Sequence, residues 1–136
     1  MAIAYRSGST AGNASGGNLT VNAPSGLTDG DILVAVLYRE AGTWTLPAGW
    51  TQWGSDQRDF NSQIYLSVAW KRASSEGASW TFNLSTTTWR VISIGAFSGC
   101  LASGDPIDVG PTGYNENTVN PIAISISTDI ADAMCV

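Results

Sequence analysis

A strand-length apolar run, Gly30-Asp31-Ile32-Leu33-Val34-Ala35-Val36-Leu37-Tyr38, is followed by Leu46-Pro47-Ala48-Gly49-Trp50-Thr51 and then by a second run ending in Val68-Ala69-Trp70-Lys71-Arg72-Ala73. Pro47 has no amide hydrogen to give to a ladder, and Gly49 adopts backbone conformations that other residues avoid, so the middle stretch is a corner or edge between two strands. No segment of the chain carries a helical period. This punctuation selects an all-β fold and disfavours βαβ units.

The rest of the chain repeats the pattern at steps of roughly 10–15 residues. Leu19, Val21 and Ala23 alternate with Thr20 and Asn22, and Trp80, Phe82 and Leu84 alternate with Ser79, Thr81 and Asn83. Trp89 to Phe97 is mostly apolar, and Ile122, Ile124 and Ile126 mark a late strand. Ile32 to Tyr38 is apolar on both parities, as expected of a central strand or of one whose outer face meets another subunit. In the Ser62–Arg72 stretch the parity of Ile64, Leu66, Val68 and Trp70 is the more apolar, which assigns Trp70, like Trp80, to a core face. Thr28-Asp29-Gly30-Asp31 and Ser74-Ser75-Glu76-Gly77 are turns. The expected fold is an antiparallel β-sandwich, jelly-roll-like.

Residues 7–18 are small and aperiodic, so residues 1–18 are expected to form a flexible N-terminal arm or loop, with the sandwich over 19–136. The end of the chain, Thr128-Asp129-Ile130-Ala131-Asp132-Ala133-Met134-Cys135-Val136, loosely echoes the Thr28–Val34 entry into a strand. Its last strand is read as cut short. Either a longer polypeptide continues it or a neighbouring subunit completes the sheet.

Charged residues make up 12% of the chain, against about 25% in an average soluble protein. Such a surface fits either a Ser/Thr-coated sandwich or a protein packed against copies of itself. The net charge of −5 and the scattered cations (Arg6, Arg39, Arg58, Lys71, Arg72, Arg90) argue against nucleic-acid binding. No apolar run approaches the ~20 residues of a membrane span, and the start of the chain lacks the pattern of a signal peptide. Synthesis in a cytoplasm is expected, with Cys100 and Cys135 more naturally free thiols than a disulfide.

The chain contains no histidine, which removes Ser-His-Asp and Cys-His nucleophile systems and most zinc sites. Glu40, Glu76 and Glu116 lie beside Gly, Ser or Asn in turns and read as solubilising residues rather than glycosidase carboxylates. The glycines at 8, 12, 16 and 17 lack the strand-before, helix-after context of a phosphate loop. Asp29/Asp31, Asp56/Asp59 and Asp105/Asp108 are close pairs, but without the dense alternation of a calcium loop they read as turn residues. The expectation is no catalytic residue, no metal and no cofactor. The chemistry-bearing residues are the tryptophans. Trp50, Trp70 and Trp80 read as core, whereas Trp44 and Trp53, flanked by Thr43, Thr45, Gln52 and Gly54, are the candidate ligand-binding residues of a surface loop.

Taken in order, Pro24-Ser25-Gly26, Gly30-Asp31-Ile32-Leu33-Val34, Pro47-Ala48-Gly49-Trp50-Thr51, Val68-Ala69-Trp70-Lys71-Arg72-Ala73, Trp80-Thr81-Phe82, Ala96-Phe97-Ser98-Gly99 and Asp105-Pro106-Ile107-Asp108 resemble a β-sandwich module of phage tail-fibre-like and other prophage structural proteins. The resemblance implies a non-catalytic virion component (a tail fibre, tail appendage or capsid decoration) made in the host cytoplasm. It also implies partners among copies of itself and other virion proteins, with a homotrimer expected by analogy with phage fibres and a role in host-surface adhesion. The competing reading is a carbohydrate-binding module in which Trp44 and Trp53 stack on a surface glycan. Neither reading calls for membrane insertion.

Overall fold

The computed structural model describes residues 3–58 and 64–107. They form eight strands: β1 (Ala4–Asn13), β2 (Asn18–Asn22), β3 (Ile32–Arg39), β4 (Trp44–Thr45), β5 (Thr51–Arg58), β6 (Tyr65–Arg72), β7 (Ser79–Leu84) and β8 (Arg90–Ser98). A five-stranded sheet in the order β1-β8-β3-β6-β5 packs on a three-stranded sheet in the order β2-β7-β4, and every pairing is antiparallel. The expected all-β sandwich is therefore the observed architecture.

The core lies between the sheets. From the large sheet come Leu33, Ala35 and Leu37 of β3, Ile92, Ile94 and Ala96 of β8, and Ala69 of β6. From the small sheet come Leu19, Val21, Trp80 and Phe82. Trp50 packs edge-on against Trp80 and Phe82 at 5.5 and 5.4 Å between ring centroids. Bulky rings thus project from the small sheet and its flanking corner, and small residues of the large sheet leave them room, as dense interdigitation requires.

That division of volume corrects the expected facing of β6. Ala69 pairs with Ala35 and Ser67 with Leu37, and both are buried. Trp70 pairs with Val34 on the opposite face and is half-buried. The more apolar parity of β6 points away from the core, because small residues are what the facing rings accommodate.

Two further expectations change. The N-terminal arm is in large part an edge strand, since Ala4 to Asn13 pairs along β8. Its serines bind across to the other layer, Ser9 Oγ donating to the Asn22 carbonyl at 2.6 Å and Ser7 Oγ to the Ser25 carbonyl at 2.6 Å. Small polar residues suit an edge that is held by hydrogen bonds rather than by apolar burial. The Trp44–Trp53 region is not loop throughout, since it supplies β4 and the start of β5. Its Pro47-Ala48-Gly49-Trp50 turn has the expected chemistry. Trp50 N donates to Pro47 O at 3.2 Å, and Gly49 sits at φ +82°, the positive φ that a type II turn needs at its third residue. The expected Ile122–Ile126 strand, the interrupted last strand and any role of Cys135 lie outside the described residues.

Candidate interaction surface

The outer face of the five-stranded sheet is built from the strand parity opposite the core. Cross-strand register sets its residues in rows. One row runs Gly8, Gly95, Val34, Trp70, Thr51, and the next runs Thr10, Ser93, Val36, Val68, Trp53. A third runs Gly12, Val91, Tyr38, Leu66, Gln57, and the end row holds Tyr5, Phe97, Ile32 and Arg72. Across these four rows Arg72 is the one ionic side chain, and its guanidinium is taken up by the Leu101 and Gly104 carbonyls. Val36 is 39% exposed, Leu66 40% and Tyr5 62%. Ile32 and Phe97 of the end row are buried, and the uncharged remainder of the face is the candidate interaction surface.

The face has relief. Gly8 and Gly95 are directly opposite one another, and the absence of a Cβ lets the Tyr5 and Phe97 rings lie over them: an added Cβ would come 2.7 Å from the Tyr5 hydroxyl at Gly8 and 3.1 Å from the Phe97 ring at Gly95. Beside these rings, Val34, Val36, Thr10 and Ser93 border a shallow depression that is open to solvent. Tyr5 and Phe97 meet edge-on at 5.7 Å and close one end of it. On the far side of β3, Trp70 and Trp53 stand in the same two rows.

The other notable group is buried at one end of the sandwich. Arg39 and Arg90 are register partners, 1% and 0% exposed. Arg39 Nε donates to Gly42 O at 2.7 Å and Nη1 to Ser67 Oγ at 2.7 Å, while Nη2 pairs with Asp56. Its guanidinium carbon also lies 4.8 Å from the Tyr65 ring centre. Burial works against ionisation of Asp56, but the Ser67 hydroxyl and Arg39 outweigh it and hold the carboxyl below its ordinary 3.8. Arg90 has no carboxylate among the described residues: it donates to the Thr88 and Ser15 carbonyls at 2.6 and 2.9 Å, and its Nε has no partner. In the sequence both arginines stand only among six scattered cations. The missed signal was parity, since Arg39 continues the Leu33, Ala35, Leu37 series and Arg90 opens the Ile92, Ile94, Ala96 series.

Trp44 and Trp53 are not brought together. Trp44 is half-buried on β4, meets Phe82 edge-on at 6.4 Å, and its indole nitrogen is buried without a partner. Trp53 stands on the outer face of the large sheet, opposite Val68. The aspartates are engaged with protein groups. Asp31 closes its turn by accepting from Thr28 N at 3.0 Å and pairs with Arg6 Nε at 2.7 Å. Asp56 lies in β5 rather than in a loop, Asp29 accepts from Ser75 N at 2.7 Å, and Asp105 from Ile107 N at 3.0 Å. Asp59 and Asp108 lie outside the described residues. Comparison with protein-family models, curated proteins and solved structures finds no match to this chain.

Proposed function

We propose that this protein is a non-catalytic structural component of a phage virion, a tail fibre, tail appendage or capsid decoration that works by packing against other protein surfaces. The observation that carries the reading is the outer face of the five-stranded sheet, where Val36, Leu66 and Tyr5 are exposed among uncharged neighbours. A particle component meets neighbours continuously, and exposed apolar groups set among polar ones are where such contacts form. The ordered sequence elements from Pro24 to Asp108 add the phage-module resemblance. The separation of Trp44 from Trp53 weighs against a two-indole sugar platform, since stacking on one glycan needs both rings on one surface. The test is peptide mass spectrometry on density-purified particles from the phage or prophage whose genome encodes the chain. Its peptides are expected at structural-protein abundance and resistant to salt washing. Their absence from particles that contain the other virion proteins would overturn the reading.

A further inference from the structure

We propose that the free edge of β1 pairs antiparallel with the same edge of a second copy of this chain, about a two-fold axis normal to the sheet near Thr10, so that two five-stranded sheets become one of ten strands. The proposal concerns a sheet edge rather than the outer face. It goes beyond the virion reading by naming a partner and the groups that meet it, the outward backbone N–H and C=O groups of residues 7–13.

β1 and β5 are the two edges of the large sheet, and they are finished differently. A sheet edge presents a row of backbone donors and acceptors, and native proteins blunt it with charge, proline or bulges. β5 carries that protection. Gly54, Ser55 and Asp56 stand against the single Ser67 of β6, Gly54 is at φ +70°, and Asp56 and Arg58 put charge on the strand. β1 does not carry it. Its register with β8 runs without a shift from Ser7↔Ala96 to Asn13↔Arg90, and residues 7–13, Ser-Gly-Ser-Thr-Ala-Gly-Asn, hold no charge and no proline. The one ionic side chain of β1, Arg6, is the extra residue between Tyr5 and Ser7, and it turns away to Asp31, Nε to Oδ2 at 2.7 Å.

The character of the edge selects a second copy as its occupant. Strand addition draws its specificity from pockets for alternate side chains, and the small residues of β1 form none along residues 7–13, so the partner must match through its backbone. A second β1 does so. Its own β8 ladder holds it straight, and the Ser7 and Ser9 hydroxyls tie it to the other layer. It therefore arrives without the ordering cost that a free peptide incurs. The sequence also opposes itself without conflict. With the axis at Thr10, Thr10 faces Thr10, Ser9 faces Ala11, Gly8 faces Gly12 and Ser7 faces Asn13, and no charge meets its like. Because the bulged β5 offers no matching ladder to a further copy, the pairing closes at two instead of growing into a filament. Seven residues at about 3.4 Å give a paired length of ~24 Å, and about ten strands is what an open twisted sheet holds.

Sedimentation equilibrium on the full 136-residue chain tests the pairing. The wild type is expected at twice its 14.2 kDa mass, with dissociation in the micromolar range because a strand-edge contact is small. Thr10 is exposed, and the pairing sets it opposite itself. Thr10→Lys and Thr10→Glu are each expected to dissociate at least roughly tenfold more readily, since like charges then face across the axis, with unchanged far-ultraviolet circular dichroism. Their equimolar mixture is expected to recover the dimer, a rescue that lost folding would not give. Thr81→Lys, at an exposed position of the small sheet, should leave the dimer intact. In the wild type the outward amides of residues 7–13 are expected to exchange hydrogen more slowly above the dissociation concentration than below it. A monomeric wild type overturns the proposal, whether the edge is then covered by residues 108–136 or by another molecule. So does a dimer that survives both Thr10 substitutions, a mixture that stays monomeric, or exchange that ignores concentration. The virion reading fails separately: a dimer absent from particles overturns that reading alone, and a monomer found in particles overturns the pairing alone.

Discussion

Replacing Arg90 with methionine is expected to leave stability unchanged or to raise it, although it removes a fully buried residue with two hydrogen bonds. Arg90 is 0% exposed and stands in register with Arg39, which is 1% exposed. The carboxylate in this cluster, Asp56, is engaged by Arg39. An uncompensated buried charge costs several kcal/mol, and an unpaired buried donor such as Arg90 Nε costs about 1–3 kcal/mol. Against this, the variant forfeits the bonds to the Ser15 and Thr88 carbonyls, worth roughly 1.5–3 kcal/mol each for a charged donor. Ser15 is exposed and Thr88 half-buried, so water recovers most of that loss. Methionine keeps the unbranched stem and adapts to the space. Replacing a whole buried ion pair by apolar residues of similar volume is often neutral or stabilising by about 1–4 kcal/mol, and Arg90 has no carboxylate partner among the described residues to offset its burial. Urea unfolding followed by tryptophan fluorescence reads the result: with an m-value of about 2 kcal/mol/M, a gain of 2 kcal/mol raises the midpoint by about 1 M. Arg39→Met is the control. It strands Asp56 and Ser67 and is expected to cost about 3 kcal/mol, the low end for a broken buried pair because Asp56 is partly hydrated. A midpoint for Arg90→Met that falls by 1 M or more at unchanged m would refute the reasoning, since the two carbonyl bonds would then outweigh the buried charge.

Phe82→Ala, at a fully buried site against Trp44 and Trp50, is expected to cost about 3–5 kcal/mol in the same assay. Acid should destabilise the fold through two carboxylates. Burial opposes ionisation of Asp31, but Arg6 and Thr28 hold it below its ordinary 3.8, as Ser67 and Arg39 do for Asp56. A depressed folded pKa contributes stability above the unfolded value and loses it as pH falls through the lower folded one. The urea midpoint should therefore be flat near neutrality and drop below about pH 4, with a smaller drop in Asp31→Asn. Gly42→Ala should destabilise by about 1–3 kcal/mol, because Gly42 sits at φ +82° and an added Cβ would come 2.6 Å from Thr86 Oγ1; a neutral thermal melt would contradict this.

Turn chemistry and strand period were legible in the chain itself. Pro47-Ala48-Gly49-Trp50, Thr28-Asp29-Gly30-Asp31 and the alternation around Leu33, Trp80 and Ile92 are local instructions, and a local instruction is read without knowing what lies across the sheet. The double apolar parity of β3 fits a central strand or one whose outer face meets another subunit, and β3 is the middle strand of its sheet. Facing is a different kind of fact. Which parity of β6 turns inward depends on the volume that Trp50, Trp80 and Phe82 leave from the opposite layer, so Ala69 went in and Trp70 out against the hydrophobic pattern. The Ser- and Gly-rich start became β1 because β8 offered an unpaired edge, a partner 77 to 94 residues away along the chain. The ordered rows of the outer face, the seating of the Tyr5 and Phe97 rings over Gly8 and Gly95, and the meeting of Arg39 with Arg90 arise from register. Register pairs residues by the closure of the whole sheet, and only the tertiary structure supplies it.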